Sequence, residues 1–252
     1  MNIQQIRNAT LVVQYAGKKF LIDPFLADKG TYPPFPALRQ DNNPLVSLPT
    51  SIDNIINNVD AVIVTHLHLD HFDDVAKDVL PKDIKMFVQN EEDATEVRNA
   101  GFLNIEVLQE DTSFEDIQLT KTKGEHGRGE ILKLPLIGKV SGVVFKHPNE
   151  KTLYVAGDTV WYEAVQEVIE THKPEIVVVN GDVQLLEGGS LIMSKEDIYE
   201  VYKAAPYAKI IVVHLEALNH GALSREELKS FIHEKGISSH VLVPDDGESY
   251  SF

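Results

Sequence analysis

Short apolar runs separated by turn-forming clusters recur along this chain, and most of them read as strands. Thr10 to Tyr15 and Phe20 to Ile22 flank Ala16-Gly17-Lys18 and predict a hairpin. Ala61 to Val64 predicts a strand, Asp73 to Leu80 a short helix stopped by Pro81, Ile84 to Val88 a strand, and Glu91 to Ala100 a helix closed by Gly101. Between Ile105 and Ala156 the pattern is mainly of strands, at Ile105 to Leu108, Ile117 to Thr120, Val140 to Lys146 and Leu153 to Ala156, so a meander is expected there.

The last third alternates again. Helices are expected at Val160 to Glu170, Ser194 to Ala204 and Ser224 to Lys235, with strands at Ile176 to Val179, Ile210 to Val213 and Val241 to Val243. Ser194 with Asp197, and Ser224 with Glu227, place a hydroxyl and a carboxylate three residues apart, where they can satisfy free N–H groups of a first helical turn. Gly236 suits the stop of the final helix, and Leu228, Phe231 and Ile232 have the spacing of a core-facing stripe. The two halves hold strands and helices in similar proportion, which hints at a doubled architecture, although no sequence repeat accompanies it. The stretch from Gly30 to Pro49 stands apart, carrying Pro33, Pro34, Pro36, Pro44 and Pro49. Its length and proline content predict an ordered loop that borders a pocket and adds aromatic contact through Tyr32 or Phe35.

Composition narrows the possibilities. With 252 residues, 43% of them hydrophobic, the chain can bury a large core, and residues 1–252 are expected to form a single domain. There is no cysteine, so disulfides and thiolate ligands are excluded, and any metal must be held by imidazole and carboxylate. The 23 basic and 39 acidic residues give a net charge of -16, which repels phosphate backbones and anionic lipid surfaces. The densest basic stretch, Lys121, Lys123 and Arg128, is interrupted by Glu125. Nucleic acid and membrane are therefore not expected as partners, and a small-molecule substrate is; homo-oligomerisation is left open. No apolar run reaches the roughly 18 residues needed to span a bilayer, and no signal-like start is seen, so a cytoplasmic location is expected.

Candidate chemistry is concentrated in THLHLDHFDD, residues 65–74, immediately after the apolar run Ala61 to Val64. In an extended segment side chains two apart share a face, so His66 and His68 can converge on one ion. Asp70 and His71 are adjacent and must diverge, which suits a second centre beside the first. The segment also follows the carboxyl end of a buried strand, where open α/β sheets form their crevices. Three later places offer more ligands: His126 between Gly124 and Gly127, Asp158 after a strand and a glycine, and His214 at the end of Ile210 to Val213. Asp158 could bridge two cations.

His66-x-His68-x-Asp70-His71, followed in order by His126, by Asp158 in Gly157-Asp158-Thr159, and by His214, resembles the metallo-β-lactamase superfamily of metal-dependent hydrolases. The segments GKKFLIDPFL, GEHG, AGDT and VLVPDDGES resemble more narrowly its ascorbate-6-phosphate lactonase-like branch. The resemblance spans nearly the whole chain and implies an α/β (α+β) four-layer αββα sandwich, with two mainly antiparallel mixed sheets face to face and helices outside. Carried onto this sequence, it implies one divalent ion held by His66, His68 and His126, a second by Asp70, His71 and His214, and Asp158 between them. His220 is an alternative to His214 as the last ligand. Zinc is the expected metal; the oxygen ligands also suit manganese or iron.

Two such ions lower the pKa of bound water from 15.7 toward about 7, so hydrolysis of an ester, lactone, amide or phosphodiester needs no serine or cysteine nucleophile. Asp70 is expected to orient the water and carry its proton, and His220 to donate a hydrogen bond to substrate. Asp23 in LIDPF is a candidate acceptor for the outer N–H of a ligating histidine, while Glu216, Asn219, Trp161 and Tyr162 are pocket candidates because they flank proposed ligands. His147, His172, His233 and His240 belong to no cluster and read as structural. A non-catalytic metal-binding or sensor protein is the competing class, and a nuclease of the same superfamily is disfavoured by the charge.

Overall fold

Alternation along each apolar run decides which face of a strand meets which layer, and here both faces of most strands are apolar. In the computed structural model, which describes residues 1–181, 183, 184 and 189–252, the first half runs β1 (Asn2–Arg7), β2 (Thr10–Tyr15), β3 (Lys18–Ile22), α1 (Ile52–Ile56), β4 (Ala61–Val64), α2 (Asp74–Val79), β5 (Lys85–Val88), α3 (Glu91–Asn99) and β6 (Asn104–Val107). The second half runs β7 (Thr112–Phe114), β8 (Ile117–Lys123), β9 (Ser141–Lys146), β10 (Leu153–Val155), α4 (Glu163–His172), β11 (Ile176–Asn180), α5 (Lys195–Ala204), β12 (Lys209–Val213), α6 (Arg225–Glu234) and β13 (Val241–Leu242). The last strand, β14 (Ser249–Ser251), returns to the edge of the first sheet against β1.

Two seven-stranded sheets result, in the orders β14-β1-β2-β3-β4-β5-β6 and β13-β12-β11-β10-β9-β8-β7. Each is antiparallel through its meander and parallel where helices form the crossovers. The second sheet repeats the scheme strand for strand, from antiparallel β7-β8-β9-β10 to parallel β10-β11-β12-β13. The doubling that the run of elements hinted at is thus real in topology. The expectation of mainly antiparallel sheets is corrected: parallel and antiparallel pairs are equal in number among the described residues, because three helical crossovers per half force parallel neighbours.

Burial follows the alternation. Ile63, Phe87, Val143, Val155, Ile176, Val178, Ile211 and Val213 fill the space between the sheets. Their neighbours Val177, Val179, Ile210 and Val212 face Val165, Ile198, Val201, Leu228 and Ile232 of α4, α5 and α6. Val62, Val64, Met86 and Val88 likewise meet Ile55, Ala76, Ala94 and Val97 of α1, α2 and α3. The layers are therefore helix, sheet, sheet, helix, as expected. No helix among the described residues is long and apolar enough to cross a membrane.

Local signals explain the element ends. Ala16 and Gly17 both have positive φ, 48° and 77°, closing a two-residue turn that matches the twist of β2 and β3. The fourth helix begins at Glu163, later than expected, because Val160 N–H donates to Glu125 O and Thr159 Oγ1 accepts from Glu125 N–H, tying that stretch to the turn before His126. Ser194 and Asp197 form the complete reciprocal cap. Ser224 accepts from Glu227 N–H, but the Glu227 carboxylate bonds to Lys195 at 2.6 Å instead of reaching back. Ser194→Ala is therefore expected to cost about 1–2 kcal/mol, and Ser224→Ala about 0.5–1 kcal/mol, measured as shifts of the urea unfolding midpoint; equal costs would contradict the difference between the two caps.

Candidate metal centre

Segments just past the carboxyl ends of β3, β4, β8, β10 and β12 bring Asp23, residues 65–71, His126, Asp158 and His214 together. Three sets of donor atoms form there, with the atoms of each set within 4.8 Å of one another: His66, His68 and His126; His66, His71 and Asp158; and Asp70, His71 and His214. The seven side chains expected as ligands all fall in these sets; two sets are the expected trios, and the third joins Asp158 to His66 and His71. His220 belongs to none of the sets, so His214 is the histidine the fold brings to this position.

The outer nitrogens of four rings are committed to acceptors. His66 Nδ1 lies 3.2 Å from Thr65 Oγ1, whose hydroxyl donates to Asp23 Oδ2 at 2.7 Å. His68 Nε2 is 3.0 Å from Leu136 O, His71 Nδ1 is 2.9 Å from Asp23 Oδ2, and His126 Nδ1 is 3.1 Å from Leu191 O. Each ring therefore donates its outer N–H, which fixes the tautomer and turns the other nitrogen toward the common centre. Asp23 plays the orienting part expected of it. It also accepts from Thr65 N–H at 2.7 Å, and its own φ of 46° is unusual for a residue other than glycine.

This arrangement fits cations. His66 Nε2 and His68 Nδ1 stand 3.0 Å apart, so their two lone pairs repel unless a proton or a metal lies between them. Burial opposes the proton: together with neighbouring His71 and His68 it holds His66 well below the ordinary imidazole range, and it brings His126 down to about 4. His71 Nε2 is buried with no hydrogen-bond partner, although Asp158 Oδ2 lies 3.1 Å away out of line. Burial would lower His71, but Asp158, Asp70 and Asp23 outweigh it and hold the ring well above the imidazole range. Ligation by His71 requires loss of that proton, which couples metal uptake to pH.

Asp158 reaches every set. Its Oδ2 is 3.8 Å from His66 Nε2 and 3.9 Å from His126 Nε2, and its Oδ1 is 3.9 Å from His214 Nε2. Asn180 Nδ2, at the end of β11, donates to Oδ1 at 2.6 Å. Burial would raise both Asp158 and Asp70, yet His71 and His214 prevail and keep the two carboxyls well below their usual range. Gly157 admits this geometry: its φ is 70°, and a Cβ there would lie 2.4 Å from Ser141 O. His214 is also left-handed, at φ 67°.

A cavity of about 320 Å³ opens on the donor cluster. Asp70, Asp158, His68, His126, His214 and His220 line it together with the apolar residues Phe35, Pro36, Leu69, Leu136, Ile137, Val183 and Leu191. The proline-rich loop borders the pocket through Phe35, whose ring meets His220 edge-on at 4.9 Å. Tyr32 stacks on Phe25 instead. Of the flanking candidates, only His220 lines the cavity. Glu216 pairs with Arg225 at 2.8 Å, and Trp161 and Tyr162 pack on the outer core beside α4. Asn219 uses its carboxamide to hold the loop, accepting from Phe35 N–H and Asn43 Nδ2 and donating to Phe35 O and Arg39 O. Asn8 and Asn180, which bond directly to Asp70 and Asp158, were not among the expected site residues.

Comparison with known proteins agrees with this geometry. Residues 18–215 match the family model described as the Beta-lactamase superfamily domain. The chain is 73% identical over 255 residues to the UPF0173 protein YddR of Bacillus subtilis, covering 100% of both. It is 23% identical to a UPF0173 metal-dependent hydrolase of Azorhizobium caulinodans, covering 99% of each. Among solved structures, an isothiocyanate hydrolase from Delia radicum gut bacteria is 44% identical with a TM-score of 0.96, covering 100% of this chain and 99% of that one. A possible metal-dependent hydrolase from Veillonella parvula is 40% identical with a TM-score of 0.98, at the same coverage.

The close backbone approach at Gly157 gives a direct check. Gly157→Ala is expected to displace Asp158 and weaken zinc retention by roughly tenfold or more, read as metal per chain after dialysis against a competing chelator. Parent-like retention would mean that Asp158 is not held by this turn.

Proposed function

The chain belongs to the β-lactamase superfamily and is a metal-dependent hydrolase of the metallo-β-lactamase fold, and from that premise we propose that it hydrolyses a small, uncharged, largely apolar electrophile at a two-cation centre. The observation that carries this reading is the cavity wall. Phe35, Leu136, Ile137, Val183 and Leu191 line the cavity with the donor cluster, and no lysine or arginine is among the described residues lining it. A phosphodiester or other anion would meet the cations but no cationic side chain among the described lining residues, and would have to leave water against the apolar wall.

On this reading His66, His68 and His126 would hold one cation and Asp70, His71 and His214 the other, with Asp158 available to both; zinc suits the donors, and manganese or iron is compatible. The bound cations supply Lewis-acid polarisation and a water of lowered pKa. The remaining work falls to the chain. Asp70 accepts a proton from the attacking water and passes it to the leaving atom. His220, kept neutral by burial, donates its N–H to a substrate heteroatom. The apolar wall orients the substituent and excludes bulk water.

The similarity to an isothiocyanate hydrolase favours a heterocumulene carbon as the centre attacked. Water oxygen bonds to the central carbon of R–N=C=S and one proton goes to nitrogen; the C–N bond then breaks, the second proton moves to nitrogen, and an amine and carbonyl sulfide leave. Esters and lactones present a comparable carbonyl carbon to the same wall and form the second substrate class. We read residues 1–252 as one hydrolase domain with a small-molecule partner.

Benzyl isothiocyanate, an aryl ester, a γ-lactone and a phosphodiester, each assayed with zinc and with manganese, test the reading. Turnover is expected for the isothiocyanate, and none for the phosphodiester. Asp70→Asn is expected to lower kcat by about 10²–10⁴-fold in metal-loaded protein, with a smaller loss for His220→Ala. Phosphodiester cleavage with the neutral substrates untouched would overturn the assignment; inactivity throughout, with tight reversible metal binding, would support a sensor instead.

A further inference from the structure

We propose that Asn8 is a positioning residue that acts selectively on the donor set of Asp70, His71 and His214. The proposal rests on the two-cation reading above. Asn8 is fully buried in the turn between β1 and β2, with φ at 55°. Its Nδ2 donates to Asp70 O at 3.0 Å and to Asp70 Oδ2 at 3.2 Å. Its main-chain carbonyl accepts from His214 N–H at 2.9 Å and from Gln5 Nε2 at 2.8 Å. One residue therefore grips two of the three members of a single set. Among the described residues it makes no hydrogen bond to His66, His68 or His126.

Two further observations mark this contact as more than packing. Asn8 Oδ1 is buried and has no hydrogen-bond partner. Rotating the carboxamide to relieve it would press that oxygen against the two Asp70 oxygens, so the orientation is fixed by chemistry. The chain leaves an acceptor unsatisfied so that the amide can donate to Asp70. His214 is also the exception among the candidate ligand histidines: its outer nitrogen, Nδ1, has no partner, whereas the other four rings are held through their outer nitrogens, Nε2 in His68 and Nδ1 in the rest. Its placement rests on the Asn8 carbonyl and on Asp70 Oδ2, 3.1 Å from its Nε2.

The same contacts sort the two oxygens of Asp70. Oδ2 meets Asn8, His214 and, at 3.5 Å, His71. Oδ1 takes no hydrogen bond from the described residues, on a side chain that lines the cavity. Asn8 thus leaves Oδ1 as the oxygen available to water and substrate.

Zinc titration of the apoprotein tests the assignment through Asn8→Gly, which suits the left-handed backbone, and Asn8→Asp, which keeps the shape and removes the donor. Unfolding midpoints are recorded alongside. The parent is expected to bind two zinc ions; each variant should keep one site at parental affinity and lose about 10–100-fold at the other. In a His214→Ala background, which disables that set, Asn8→Gly should change nothing further at the surviving site. A parent that binds a single zinc overturns the two-cation reading itself. Two parental sites that Asn8→Gly leaves unchanged, or weakens equally, overturn only the role of Asn8.

Discussion

A buried carboxylate is tolerable only where positive charge or strong donors answer it, and Asp158, 2% exposed, is where this fold meets that constraint. One oxygen is taken by Asn180, and the other faces His71 at 3.1 Å with His66 and His126 just beyond. The imidazoles cannot all be protonated beside one another, and burial disfavours charge on His66 and His126 in particular. A divalent ion resolves both problems, since it answers the carboxylate and occupies the lone pairs of the neutral rings. The cluster is therefore built for cations, at some cost to the metal-free chain.

Topology makes the convergence possible. Each half runs a meander into three parallel strands, and packing the two sheets face to face sets the ends of β4, β10 and β12 beside one another. The loops that follow do two jobs. Leu136 and Leu191 form cavity wall with their side chains, while their carbonyls receive the outer N–H groups of His68 and His126. Movement of either wall segment would alter the aim of a ligand ring, so the space offered to substrate and the donor geometry are mechanically tied.

Motif and alternation carried much of this in the sequence. The spacing of His66, His68, Asp70 and His71, and the position of His126, Asp158 and His214 at strand ends, were legible because metal-ligand chemistry restricts residue types strongly. Strands with continuous aliphatic runs, such as Ala61–Val64, were legible to the residue. The first strand was not: in NIQQIR, Ile3 faces the inter-sheet core and Ile6 the helical layer, while Gln5 is a buried polar residue whose Nε2 donates to Asn8 O, so no alternation survives. Short elements such as Ile52–Ile56 and Ser249–Ser251 depend on tertiary partners rather than on their own pattern. Asn8, Asn180 and Thr65 escaped notice because an asparagine or threonine at a turn or strand end is ordinary; only long-range contact separates these from the rest. Trp161 and Tyr162 erred the other way, since closeness in sequence to a ligand does not set the face on which a side chain packs.

The electrostatics of the cavity bear on which substrate it could take. No lysine or arginine is among the described residues that line the cavity, so an anion would have the cations alone to answer its charge and would have to shed its water against an apolar wall. A neutral electrophile, as proposed, would lose less on leaving water, and its apolar substituent would gain by packing on Phe35, Leu136, Ile137 and Leu191. The same wall lowers the local dielectric, so any charge that develops at the attacked carbon is felt more strongly by the donors opposite it. His220 suits that setting: burial keeps it neutral, its ring is steadied against Phe35, and a neutral imidazole can donate one N–H without adding a charge that would compete with the cations. On the proposed reading, the apolar lining beside the donor cluster would favour an uncharged substituent and strengthen the donors' response to charge that appears during reaction.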